Sequence, residues 1–206
     1  MLNITRWFAA ALLFHALAAG AQTPDLKSLV AQLKDGGYVI VFRHGATNRD
    51  QADTDPLNPG NVAKQRLLSE KGKEVALQVG AAYKKLGVPL GDVYTSVFNR
   101  AVETGKLVSG HDVVAATLDI TEGGLVVTPI ENDRRAEALK KMAATKPAPG
   151  RNTLIVTHKP NILDAFGKDW FEVREGEASI FRPDGSGKPV PVARVQAADW
   201  IKAASN

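Results

Sequence analysis

YVIVFRHGAT, residues 38–47, is the stretch from which the rest of the chain is read. Val39, Ile40, Val41 and Phe42 form a β-branched and aromatic run of strand length, set between the turn signal Gly36-Gly37 and Gly45. Such a run reads as a buried strand of a parallel sheet, and open α/β folds bind their ligands at the carboxyl ends of those strands. Arg43 and His44 emerge side by side at that end. A guanidinium with five fixed donors beside an imidazole suits a phosphoryl group held by the one and attacked by the other. Alone, an Arg-His pair is more simply a charged turn after a strand. Its surroundings change that reading.

Upstream, Leu26, Leu29, Val30 and Leu33 lie at helical spacing ahead of the Gly36-Gly37 stop. Before them, MLNITR carries one positive charge, WFAAALLFHALAA is apolar, and Ala19-Gly20-Ala21 is a small-residue cleavage site. This layout predicts a secretory signal peptide over residues 1–21 and one domain over 22–206. The expected location is periplasmic or secreted, with membrane contact only through that segment before cleavage. An uncleaved anchor or a core helix are the alternatives.

The chain has 206 residues, 44% of them hydrophobic and 23% charged, enough for one domain with a sizeable core. It has no cysteine, so neither disulfides nor thiolate chemistry contribute. The net charge of +4 is scattered, without a basic run or interleaved aromatics. That argues against a nucleic-acid partner and for a mild preference for anionic ligands. Oligomeric state leaves no mark in the sequence.

Downstream of Gly45, a polar stretch rich in aspartate and proline runs to Ser69, a length typical of functional loops. Ser69 opens a helix through Leu86, with Val75, Ala76, Val79, Ala82 and Tyr83 on one face. Residues 92–96 are a second strand, 98–108 a helix and 111–115 a third strand. A loop over 118–128, a helix over 133–145 and an apolar strand over 153–157 follow. A short helix at 161–166 and two late strands at 179–181 and 190–195 complete the pattern. Alternating strands and helices predict a three-layer α/β/α sandwich with a mostly parallel central sheet.

Of the three histidines after residue 21, His44 and His158 each end an apolar strand. If those strands are neighbours, two imidazoles meet at one edge of the sheet. Arg43 comes with the first, and Arg100 sits at a helix start, where backbone amides also favour an anion. Two arginines and two histidines around one point make a phosphate cage.

VFRHGAT (41–47), TSVFNRAVETGKLV (95–108) and LIVTHKP (154–160) resemble, in order and spacing, the three signatures of the histidine phosphatase superfamily, the phosphoglycerate mutase-like fold. The likeness runs from about Val39 to Asn161. It implies a metal-independent phosphomonoester hydrolase that needs no cofactor and acts on a small phosphorylated substrate. His44 falls on the histidine that is phosphorylated, Arg43 and Arg100 on the phosphate-binding arginines, and His158 on the second catalytic histidine. Glu122 follows Arg100 at about the interval where members with a glutamate proton donor carry it, with Asp119 as competitor. Thr47 matches a common hydroxyl position.

The chain also departs from the pattern. Ala46 stands where mutases have Glu, Asp50 where they have Asn, and Lys159 where Gly is common. Asn48 then becomes a candidate phosphate donor or a turn former, and Lys159 a candidate positive charge at the pocket. Asp50, Asp53 and Asp55 lack calcium-loop spacing and read as a solvated loop. A mutase-like phosphotransferase and a non-catalytic anion-binding envelope protein are the competing functions.

Overall fold

The computed structural model describes residues 25–123 and 126–205. The expected signal peptide lies outside the described residues. The elements in chain order are α1 (Leu26–Lys34), β1 (Val39–Arg43), α2 (Glu70–Leu86), β2 (Leu90–Ser96), α3 (Asn99–Ser109), β3 (Ala115–Thr117), α4 (Pro129–Ala143), β4 (Asn152–Thr157), α5 (Lys159–Phe166), β5 (Ala178–Pro183), β6 (Pro189–Val195) and α6 (Ala197–Ser205). Short 3-10 turns occupy Val62–Lys64, Leu118–Ile120 and Lys168–Trp170. The strands form one sheet in the order β3-β2-β4-β1-β5-β6. β3, β2, β4 and β1 run parallel, and β5 and β6 close the sheet antiparallel. The expected three-layer sandwich is the fold observed.

Side-chain alternation along the strands sorts the core into two layers. Ile40, Phe42, Leu154 and Val156 face α1, α2, α3 and α6, together with Tyr83 and Trp200. Val39, Val41 and Ile155 face α4 and α5, together with Leu139, Ile162 and Phe181. Both faces of β1 and β4 are therefore dry, which is why each reads as an unbroken apolar run.

Local signals set the helix starts that frame the site. Ser69 caps α2, its hydroxyl accepting from the Gly72 N–H at 3.1 Å. A Cβ on Gly72 would lie 2.0 Å from the Ala46 carbonyl oxygen, so only glycine lets α2 press onto the turn after β1. Several boundaries differ from the sequence reading. β3 begins at Ala115, since residues 111–114 lie beyond the sheet edge and Val113 is bare to solvent. α4 begins at Pro129, four residues before the apolar pattern, because Thr128 caps it and Pro129 fits its first turn. α6 was not expected. Its Trp200 is fully buried, edge-on to Tyr83 at 5.0 Å between ring centres.

Candidate active site

Register brings the two histidines together. β1 and β4 pair Arg43 with Thr157, so His44 and His158 occupy the next step on adjacent strands. The His44 N–H donates to the Thr157 carbonyl at 3.0 Å, and the two rings lie 5.1 Å apart between centres. Both are buried. His44 Nδ1 lies 2.8 Å from the Gly45 carbonyl oxygen. A carbonyl only accepts, so Nδ1 carries the proton and Nε2 keeps a free lone pair. Burial first, and then the neighbouring His158, hold the His44 pKa well below the ordinary 6.5. His44 is therefore a neutral imidazole with a nucleophilic nitrogen at neutral pH.

His158 is oriented from the other side. Its Nε2 lies 2.7 Å from Ser96 Oγ, which also accepts from the Phe98 N–H at 3.2 Å. The serine proton needs an acceptor, and Nε2 supplies one. That tautomer leaves a proton on Nδ1, which has no hydrogen-bond partner among the described residues and lies 3.5 Å from Glu122 Oε1. Burial, followed by the charges of Arg100, Arg66 and Arg43, lowers the His158 pKa well below 6.5.

The arginines are held by their far ends. Arg43 Nη1 donates to the Val173 carbonyl at 2.8 Å, and Nη2 lies 3.6 Å from the Glu175 carboxylate. Burial lowers its pKa from the ordinary arginine value, and an arginine side chain stays charged in proteins. Arg100, on the first turn of α3, is fully buried. Its Nη1 donates to Asp53 Oδ1 at 3.0 Å and to the Arg66 carbonyl at 3.3 Å, and its Nη2 pairs with Glu122. Among the described residues, the Nε atoms of Arg43 and Arg100 and Nδ1 of His158 are buried without a hydrogen-bond partner. Buried donors of this kind mark a place where a ligand completes the bonding. Thr104 ties the parts together: it accepts from the Gly45 N–H at 3.1 Å and donates to the Arg100 carbonyl at 2.6 Å.

The two candidate acids part company. Glu122 reaches Arg100 and His158, whereas Asp119 turns outward to Arg134 at 2.7 Å, both half exposed. The loop bearing Glu122 is pinned one residue earlier. Thr121 accepts from the Val97 N–H through its hydroxyl oxygen, and its carbonyl accepts from Arg135 and Asn161.

Arg43, His44, Arg100, Glu122 and His158 thus share one space, and three further sequence candidates lie around it. Thr47 is buried in a bridge with Leu68. Asn48 directs its amide to Gln51 and the Leu68 carbonyl, each at 3.4 Å, and so shapes its own turn. Lys159 opens α5 with its ammonium 4.8 Å above the exposed Phe171 ring. Asp53, assigned above to a solvated loop, instead bridges Arg100 and the Arg66 N–H. Arg66 was not singled out from sequence, yet its charge acts on both His158 and Arg43. Ser96, the last residue of β2, and Thr104, one helical turn after Arg100 on α3, both lie within a quoted signature.

No family model matches the chain, and no curated protein matches it. Solved structures do. The protein histidine phosphatase SixA complexed with tungstate matches with a TM-score of 0.53 at 19% identity, over 78% of this chain and 97% of that one. Phosphoserine phosphatase from Entamoeba histolytica in complex with phosphoserine matches at 0.54 and 16%, over 78% and 97%. Mycobacterial glucosyl-3-phosphoglycerate phosphatase with inorganic phosphate matches at 0.53 and 15%, over 81% and 99%. At these identities the likeness is one of fold. The chain therefore shares the phosphoglycerate mutase-like α/β fold of these phosphatases.

Proposed function

We propose that this protein hydrolyses phosphomonoesters through a phosphohistidine formed on His44. The observation that carries the reading is His44 itself: a buried, neutral imidazole anchored through Nδ1, facing a second buried imidazole and flanked by two arginines. The Nε2 lone pair attacks phosphorus while the bond to the ester oxygen breaks. Arg43, Arg100 and the Nδ1–H of His158 offset charge on the three non-bridging oxygens. The Glu122 carboxyl gives its proton to the departing alkoxide. Water then attacks the phosphohistidine, Glu122 takes the proton back, and the N–P bond breaks to restore His44 and release phosphate. Side chains supply the positive charge, so this scheme requires no metal. Selectivity falls to the loops around the cage, since the cage itself recognises only the phosphoryl group. With the basic, apolar N-terminal segment, the reading becomes an exported enzyme acting on small phosphorylated compounds outside the cytoplasm.

The test is phosphate release from p-nitrophenyl phosphate with chelator present. Wild type releases phosphate, and His44→Ala, folded by circular dichroism, releases none. Full activity in the variant overturns the mechanism.

A further inference from the structure

Beside Glu122 lies a cavity of about 180 Å³ lined by Leu57, Pro59, Leu118, Val126 and Val127. Leu57 is 74% exposed, Leu118 52% and Val126 46%, so large apolar side chains stand bare around one carboxylate. Single exposed apolar residues are ordinary, but several gathered around one concavity mark a binding surface. The cavity has a built wall. The Val126 N–H donates to the Gly123 carbonyl at 3.1 Å, and Val127 packs so closely that a Cβ on Gly123 would lie 2.1 Å from it. The wall's one cation, Arg135, is committed to Glu131 and the Thr121 carbonyl, each through a hydrogen bond of 2.8–2.9 Å. What the cavity offers a ligand is therefore apolar contact.

Glu122 borders this cavity and the cage together, pairing with Arg100 and lying 3.5 Å from His158 Nδ1. In the reaction proposed above, the acid stands beside the departing oxygen, so the leaving group lies on the cavity side. We infer that the cavity is the leaving-group subsite and that the substrate is the phosphomonoester of an apolar alcohol, bearing an aromatic ring or short alkyl chain beside the ester oxygen. The inference rests on that reading of the site. Its size fits: a cavity of about 150 Å³ accepts a benzene ring. The exposed rim at Leu57 leaves room for a longer substituent to continue outward.

Methylphosphonate and benzylphosphonate share the anion, resist hydrolysis and differ only in the apolar group. Titration calorimetry on the wild-type chain is expected to find benzylphosphonate about tenfold tighter. In a Leu57→Ser, Val126→Ser double variant the two ligands should come within about twofold of each other. Both residues are exposed, so the variant folds. Equal affinities in wild type overturn the inference. Hydrolysis of benzyl phosphate and glycerol phosphate separates it from the reading beneath it. Benzylphosphonate preference without phosphate release upholds the subsite and removes the phosphatase. Release at equal rates from both esters, with equal phosphonate affinities, removes the subsite and leaves the phosphatase standing.

Discussion

His44 and His158 stand on strand ends that pair residue for residue, whereas Glu122, Asp53 and Arg66 reach the same space from loops. The strand-borne floor is held by main-chain bonds, and both of its histidines are buried. Arg43 and His44 are fixed on one side by β4 and on the other by the Glu177 carbonyl and the Gly176 N–H. The rim is held by ion pairs between flexible side chains, with the Asp53 and Glu122 carboxylates about one-fifth exposed. In the reaction proposed above, the floor holds the phosphoryl group, and the rim, which carries Glu122, meets the leaving group.

Four experiments probe that division, beginning with the floor. His44→Ala should lower phosphate release by about 10⁴-fold or more for every ester alike. An ester-dependent loss would mean the floor also selects. Next, Glu122→Gln on the rim should cut kcat about 10²–10³-fold for alkyl phosphates and little for p-nitrophenyl phosphate, whose leaving group departs without a proton. Equal losses on both would place Glu122 outside proton transfer.

The third experiment strikes the support behind the floor. Glu177 is fully buried, and its carboxylate accepts from Arg194, Gln196 and the Arg174 N–H. Glu177→Ala strands those donors and should cost about 3 kcal/mol in urea unfolding. A loss under 1 kcal/mol would show that the segment behind Arg43 is held by its backbone alone.

The fourth experiment follows pH dependence. Both imidazoles sit below 6.5 in the fold, burial being the main cause. As pH falls through 6.5 the unfolded chain takes up protons that the folded chain refuses. Stability present above that value is therefore lost on acidification, by at most about 1.4 kcal/mol per pH unit for each histidine. Urea midpoints from pH 7.5 to 5 should fall, and His44→Asn should flatten the slope. A rise toward acid contradicts the assignment.

The floor was legible in the sequence because each part announces itself locally. An apolar run stopping at His44, another stopping at His158, and a helix start just before Arg100 are each read from residues within a few positions of the one they mark. The rim was less legible because its bonds join distant loops. Nothing near Asp53 tells that its partner is Arg100, 47 residues away. Glu177 likewise reads as one more acid in REGEAS until β6 brings Arg194 beside it. α6 escaped notice because AADWIKAAS is short and its meaning lies in what Trp200 touches. Glu122 was legible through the resemblance, while geometry alone separates it from Asp119.

The order of strands in the sheet also sets an order in time. β1 lies between β4 and β5, so Val39 pairs with Thr153 on one side and Phe181 on the other, both from the last third of the chain. During synthesis, Val39, Ile40, Val41 and Phe42 have neither neighbour until β4, more than 100 residues further on, has been made. That leaves the strand before His44 an apolar run open to wrong pairing while its partners are missing.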